Sequence, residues 1–452
     1  MARRRKKIPQ EPVSVKIESL SHEGRGIAHV EGKTVFVNGA LPGEEVLFQY
    51  KKRRSKFDEA HTLEVKNPAA ERIDAKCEFF GICGGCSLQH MQHEFQIEHK
   101  QSVLIEQLKH IGNVEPKSVI PPLTGPQWGY RRRARLGVKY VEKKGRVLVG
   151  FREKYSPFVA DINRCEVLHP SVGLLLEPLQ SLIAELSLIK QIPQIEVAVG
   201  DDVTALVFRH LADFTDKDMV KLKDFGEQHH LEIYCQSGGL DSVIPLDGTT
   251  PKELSYSLPE FSVIMKFLPT DFTQVNSEIN QVMVPRALEL LEVDSSDSVL
   301  DLFCGIGNFT LPLARKASRV LGIEGDHGLV ERAKQNATSN NINNVDFRAV
   351  DLAKDDLDED FLHDGFNKLL MDPARTGAQE VIQKMDLSLI DRIVYISCNP
   401  ATLARDAGIL VNKKGFTLKQ AGIMDMFPHT THVESIAVFT SQKNERGKIN
   451  EC

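Results

Sequence analysis

The sequence predicts an α/β chain in three parts: a small N-terminal β-barrel, a mixed α+β central domain, and a C-terminal doubly wound sheet of the Rossmann-like type. Three observations carry this. Short strands separated by Gly turns fill residues 11–66. From Asp271 on, β and α segments alternate. An apolar strand over 299–303 runs straight into Cys304-Gly305-Ile306-Gly307. At 452 residues the chain exceeds what one core serves, roughly 250–300 residues. The predicted spans are 1–70, 71–270 and 271–452.

In the first span, Val13–Ile17 alternates apolar and polar residues, and Lys33–Val37 is strand-like and ends at Asn38-Gly39, a hairpin-type signal. Leu41-Pro42-Gly43-Glu44 turns the chain again, and Lys51–Arg54 forms a basic tip. Small barrels of the oligonucleotide-binding kind hold single strands on a basic face. The Gly24-Arg25-Gly26-Ile27-Ala28 and Leu41–Glu44 turns resemble those of a TRAM domain, an RNA-binding barrel attached to RNA-modifying enzymes. The second span holds three cysteines, a helical stretch over 91–110, then mostly strands, with helices near 174–189 and 216–229. The third reads as helix 281–291, strand 298–303, helix 309–316, strand 319–323, helix 327–340, strand 345–350, and further strands at 368–371, 393–397 and 435–440.

Hydrophobic residues make up 41% and charged residues 26%, which excludes a disordered chain. No apolar run reaches the roughly 18 residues of a membrane helix. The basic start Met1–Lys7 has no apolar segment behind it, so a cytoplasmic location is expected. Nothing points to a membrane or an obligate protein partner, and a monomer is expected. The net charge of −6 argues against nucleic acid, but its distribution does not. Residues 1–170 carry 30 Lys+Arg against 20 Asp+Glu, and the remainder 26 against 42. A basic front half with runs at Arg3–Lys7, Lys51–Lys56 and Arg131–Arg135 suits phosphate binding. Arg131, Arg132, Arg133 and Arg135 are candidate phosphate contacts. Trp128 and Tyr130 serve equally as base-stacking or packing residues.

Gly305 and Gly307 let the backbone approach a ligand at the carboxyl end of a strand. The third Gly of the dinucleotide fingerprint is replaced by Thr310. Glu324, 19 residues after Gly305, ends the next strand, where a carboxylate accepts bonds from ribose hydroxyls. That suits NAD and S-adenosylmethionine alike. Asp301, on the strand before the loop, favours the second: it can hold a methionine ammonium and would repel a pyrophosphate. Asp351 can reach an adenine amino group, and Asp372 stands at the mouth of a fourth strand.

Strand 393–397 ends in Cys398-Asn399-Pro400. A lone cysteine at a strand end is usually a small core residue. This one faces the cofactor crevice in a polar turn, and a helix starting after Pro400 is expected to lower its pKa. A thiolate beside S-adenosylmethionine suits methylation of pyrimidine carbon 5. Addition to carbon 6 makes carbon 5 nucleophilic, and a base then removes its proton. Glu434, in His429–Glu434, is the candidate base.

Asp301–Thr310, Asp372-Pro373-Ala374-Arg375-Thr376-Gly377, Ile396–Pro400 and His429–Glu434 together resemble the RNA uracil-5-methyltransferases. Phe272–Asn276 resembles the segment before that family's sheet. The resemblance implies Cys398 as nucleophile and Glu434 as base. It implies cofactor contacts at Gln274, Phe303, Asn308, Glu324, Asp351 and Asp372. Many relatives have a second Pro where Ala374 stands, a departure expected to affect loop stiffness more than chemistry. Cys304 sits in the Gly loop and reads as structural.

There are eight cysteines in a chain without an export signal, which favours metal or catalysis over disulfides. Cys77, Cys83 and Cys86 lie within ten residues, and Cys165 stands alone downstream. Four thiolates hold zinc or an iron–sulfur cluster, and zinc ribbons favour two Cys-x2-Cys pairs where this chain has one. The ribosomal-RNA branch of the resembled family looks similar, with a TRAM barrel, Cys-x5-Cys-x2-Cys and a distant Cys binding a [4Fe–4S] cluster. The expected substrate is therefore a uridine of 23S ribosomal RNA, flipped out of a loop. Transfer RNA as substrate, or an RNA-binding iron–sulfur protein without activity, are the alternatives.

Overall fold

The computed structural model describes residues 8–246, 248, 252–352 and 365–443. The basic run Arg3–Lys7 lies outside the described residues. The chain divides into two compact units. The first holds the chain up to Lys100, with Arg152–Ala160 and Phe427–Thr431. The second holds Gln101–Phe151, Asp161–Met426 and the chain from His432. The cysteine segment thus groups with the barrel rather than with the rest of the span 71–270.

In the first unit, β1 (Val13–Lys16), β2 (Ser19–Leu20), β3 (Gly26–Val30), β4 (Lys33–Asn38), β5 (Glu45–Arg53) and β6 (Phe57–Asn67) form one sheet in the order β1-β5-β6-β4-β3-β2. Its two ends, β1 and β2, are consecutive pieces of one bent stretch, so the sheet closes on itself. Alternate residues point inward and make the core: Ile17, Ala28, Val35, Val37, Val46, Phe48 and Ala60. The tight hairpin is not at Asn38-Gly39. It joins β3 to β4 through Glu31 and Gly32, both at positive φ (51° and 77°), the combination a type I′ turn requires. Gly39 instead leads away from the sheet, because β4 pairs next with β6 in parallel. The basic tip joins β5 to β6 as expected, with Arg54 on Glu59 at 2.8 Å.

Far downstream, Phe427–Thr431 returns to this unit. Ser87 and Leu88 N–H groups donate to the His429 carbonyl at 2.8 and 2.9 Å. The Lys100 ammonium, 1% exposed, donates to the Phe427 carbonyl at 2.9 Å.

The second unit contains two large sheets. One is β13-β12-β11-β10-β8-β9, made of β8 (Arg133–Val141), β9 (Arg146–Gly150), β10 (Gln194–Val199), β11 (Thr204–Arg209), β12 (Leu231–Gln236) and β13 (Val243–Pro245). Helix Asp216–His229 has the expected bounds, fixed by a capping box between Thr215 and Asp218. The helix expected over 174–189 covers only Leu176–Ala184, because Ser187 N–H leaves the helical path to bond the Asp218 carboxylate at 2.8 Å. β14 (Leu254–Leu258) and β15 (Val263–Phe267) form a separate two-stranded sheet.

The other large sheet runs β18-β17-β16-β19-β20-β22-β21-β7. Its strands are β7 (Ser118–Val119), β16 (Ser298–Leu302), β17 (Arg319–Glu324), β18 (Val345–Ala349), β19 (Lys368–Met371), β20 (Arg392–Ser397), β21 (Phe416–Met424) and β22 (Glu434–Ser441). β16 to β20 are mutually parallel, and their order reverses between β16 and β19, which opens a crevice beyond their carboxyl ends. β22 is antiparallel to both neighbours, so it begins at the edge where β20 ends.

Gly322 in the middle of β17 has no room for a side chain: a Cβ there would stand 2.7 Å from Phe347 and 2.9 Å from the Cys304 sulfur. Both neighbours are buried. Gly322→Ala should cost about 1–3 kcal/mol in chemical denaturation, and an unchanged midpoint would show that this core yields.

Candidate active site at the carboxyl edge of the sheet

The loop after β16 is left-handed at three positions, Phe303 (φ 66°), Gly305 (56°) and Gly307 (96°). A Cβ on Gly305 would meet nothing within 4 Å, so the loop faces open space there. Glu324 stitches the loop: one carboxylate oxygen accepts Gly305 N–H at 3.1 Å, the other Gly325 and Asp326 N–H at 2.7 and 3.1 Å. The Asn308 amide is paired with Asn280 and with the Tyr256 hydroxyl. Asp372 follows β19 and accepts a long bond from Gln274 at 3.4 Å. Asp351 is exposed, just beyond β18.

Asp301 is fully buried. One of its oxygens accepts the Thr310 hydroxyl at 2.6 Å, and the other has no hydrogen-bond partner among the described residues. Burial pushes its carboxyl up to about 8; Thr310 opposes this, while Asp372 and Glu324 add to it. Burial likewise pushes Asp372 up to about 7. A buried carboxylate with an unmet acceptor oxygen, as at Asp301, makes a site for a cation. S-adenosylmethionine carries a sulfonium and an ammonium and fits these residues; a pyrophosphate does not.

The register of β20 on β22 pairs Ser397 with Ser435, so one step further Cys398 and Glu434 stand opposite each other. Cys398 is half-buried, whereas Cys235 and Cys304 are buried, in keeping with a structural role for Cys304. The expected lowering of the Cys398 pKa is not what the structure gives. Burial, then Glu434 and Asp372, push the thiol up to about 11, and Arg375 pulls the other way. Burial and the two acids decide the direction, and the helix end offers little against them. The next helix, Pro400–Lys413, starts with a proline that has no N–H, and the Asn399 side chain takes the Ala401 N–H at 3.1 Å. Little of the helix N-terminus is left to favour a thiolate. Glu434 is 4% exposed, and burial raises its carboxyl well above the usual range, with Asp372 adding and Arg375 opposing.

Arg375 is the residue that sequence reasoning passed over. It lay in view inside the Asp372–Gly377 motif, but only folding reveals it as the cation beside Cys398 and Glu434. Its carbonyl accepts bonds from Asn399 and Thr402, and its guanidinium lies 3.4 Å from the His432 ring nitrogen.

The basic run in the central sheet needs correction as an RNA-binding element. Arg131, Arg132 and Arg133 donate to the carbonyls of Arg133, Gly200 and Pro269, and Arg132 also pairs with Asp201. Arg135, 73% exposed and beside Glu196, is the one that faces outward. Tyr130 is buried and belongs to the core. Cys77, Cys83 and Cys86 lie half-buried in successive turns, and Gly85 N–H points at the Cys83 sulfur at 3.4 Å. Burial raises the Cys83 thiol; Gly85 opposes this and the nearby Cys77 adds to it. Cys165 is also half-buried, its N–H on the Gly173 carbonyl at 2.9 Å. The N–H aimed at the Cys83 sulfur suits a thiolate there, and among the described residues no group of three or more His, Cys, Asp or Glu is arranged to hold a metal. No helix among the described residues is long and apolar enough to cross a membrane.

Known proteins share this chain's sequence and fold. Residues 92–443 match the tRNA (uracil-5-)-methyltransferase family, and residues 10–52 match the TRAM domain. A protein of Nitrosococcus oceani named 23S rRNA (uracil(1939)-C(5))-methyltransferase is 56% identical over 96% of this chain and 98% of its own length. One of the same name from Alkalilimnicola ehrlichii is 53% identical over 98% of this chain and all of its own. The crystal structure of Pyrococcus abyssi tRNA (uracil-54, C5)-methyltransferase with S-adenosyl-L-homocysteine shares the fold, with a TM-score of 0.72 at 23% identity, covering 94% of this chain and 99% of that one. A match over most of the chain, with relatives more than half identical along nearly their full length, places this protein in the family of S-adenosylmethionine-dependent RNA (uracil-5-)-methyltransferases.

Proposed function

We propose that this chain methylates carbon 5 of a uridine in 23S ribosomal RNA, the one its relatives' names number 1939, with Cys398 as nucleophile and Glu434 as base. The observation that carries the chemistry is the placement of Cys398 opposite Glu434 at the mouth of the carboxylate crevice. The substrate reading rests on relatives of 56% and 53% identity. The chain acts as a monomer in the cytoplasm.

Asp301, Glu324, Asp351, Asp372, Gln274, Phe303 and Asn308 would hold the cofactor beside the loop of Gly305 and Gly307. S-adenosylmethionine supplies the methyl group. The uridine is flipped out so that its ring enters the crevice. Cys398 loses its proton toward solvent at its half-buried edge, helped by Arg375, and its sulfur bonds to carbon 6. The ring becomes an enolate with carbon 5 as the nucleophilic centre. After carbon 5 is methylated, Glu434 removes the remaining proton there. The carbon 5–carbon 6 double bond re-forms and the thiolate leaves. Cys77, Cys83, Cys86 and Cys165 are the ligands we assign to a [4Fe–4S] cluster, supported by the cysteine spacing shared with the ribosomal-RNA branch. The methyl transfer moves no net electrons, so the cluster's part is structural or in RNA binding.

With a 23S fragment tritiated at uracil carbon 5, tritium release should vanish in Cys398→Ala. Full release in that variant would refute the nucleophile. Glu434→Gln should slow turnover about 100-fold or more and accumulate a methylated, denaturant-stable protein–RNA adduct. Absence of that adduct would reassign the base. Equal release from a transfer RNA would refute the ribosomal assignment.

Asp301 and Asp372 have raised pKa values, near 8 and 7. Their neutral forms favour the unliganded fold, so its stability falls as pH rises through that window. The cationic cofactor favours their charged forms. Affinity for S-adenosylmethionine should therefore rise from pH 6 to pH 8 with proton release, measured by calorimetry in buffers of different ionisation enthalpy. A flat profile would remove these carboxylates from the site.

Anaerobically prepared protein should be brown and contain iron and sulfide in equal amounts, and Cys83→Ser should lose both. Stoichiometric zinc would overturn the cluster assignment.

A further inference from the structure

The hairpin β14–β15 belongs to neither large sheet of its unit, yet the outer edge of β15 is tied to a helix. Asn340 accepts Ile264 N–H and donates to the Ile264 carbonyl, both at 2.8 Å. Asn336 does the same for Lys266, at 2.9 and 3.0 Å. Each side-chain amide thus imitates a peptide group of a neighbouring strand. The spacing permits it. Residues four apart on helix His327–Ser339 and its cap rise about 6 Å, close to the roughly 6.6 Å between alternate residues of a strand.

The same polar framework reaches the loop after β16 from two sides. Asn336, fully buried, also donates to the Ile306 carbonyl at 3.4 Å. From the hairpin's other strand, the Tyr256 hydroxyl donates to Asn308 Oδ1 at 2.8 Å. Asn280, on helix Ser277–Leu291, closes a reciprocal amide pair with Asn308 at 2.9 and 3.0 Å. With three left-handed residues between 303 and 307, the loop has little intrinsic preference for its shape, and outside bonds must supply it.

We propose that Tyr256, Asn280 and Asn336 are positioning residues for the cofactor, and that the hairpin Leu254–Phe267 is a brace that holds Gly305–Asn308 in its binding shape. This rests on the reading of that loop as the cofactor loop. Tyr256 acts through Asn308; Asn336 acts through Ile306.

The test uses the full-length chain and S-adenosylhomocysteine. Tyr256→Phe removes one hydroxyl and leaves the Asn280–Asn308 pair in place, so the fold should survive. Its affinity for S-adenosylhomocysteine should fall about three- to tenfold, with affinity for a 23S fragment unchanged. Amide hydrogen exchange of residues 303–308 should quicken while that of the hairpin stays slow. In an Asn308→Ala background, adding Tyr256→Phe should weaken binding no further. Wild-type affinity and unchanged loop exchange in Tyr256→Phe would overturn the proposal, as would an equal loss in the Asn308→Ala background. If the unaltered chain fails to bind S-adenosylhomocysteine, the cofactor reading itself falls, independently of the brace.

Discussion

One pairing register sets the layout of the candidate site. β22 runs against β20 with Ser435 across from Ser397. An antiparallel strand beside a parallel one presents its beginning where its neighbour presents its end. That inversion alone brings Glu434, near the end of the chain's last strand connection, to the carboxyl edge that already carries Phe303, Asp372 and Cys398. A slip of one residue would turn every side chain of β22 to the other face. The strand is buried along nearly its whole length, which forbids such a slip.

Around that register the molecule concentrates acids. Asp301, Asp372 and Glu434 are all raised by burial, and Arg375 is the cation that opposes the rise at Glu434. Burial in each case disfavours the charged form. A positive ligand beside them would offset that penalty. The raised thiol pKa of Cys398 belongs to the same picture, since burial and the acids Glu434 and Asp372 all disfavour a thiolate there.

Much of this was legible in the sequence because it is local. The β/α alternation after Asp271, the Gly loop and the capped helix Asp216–His229 each follow from short-range pattern. What was not legible depends on who pairs with whom. Asn38-Gly39 carries hairpin chemistry, but the parallel partner β6 claims β4, and the tight turn falls at Glu31-Gly32. Arg131–Arg133 read as a phosphate grip, yet Arg131 bonds the Arg133 carbonyl within the run, and the distant carbonyls of Gly200 and Pro269 take Arg132 and Arg133. The direction of the Cys398 shift depended on burial and on two acids far away in sequence, against a weak helix end that was visible. The role of Arg375 was hidden for the same reason.

The return of Phe427–Thr431 to the N-terminal unit has a consequence for synthesis. Lys100 and its acceptor at Phe427 are 327 residues apart, and the turn after Cys86 receives the His429 carbonyl over a similar span. At about 5–20 residues per second, a ribosome needs tens of seconds to deliver that last piece. The N-terminal unit, first to emerge, is among the last to be completed. Until then a lysine destined for burial lacks one of its acceptors, and the nascent barrel waits, solvated at that seam, for the far end of its own chain.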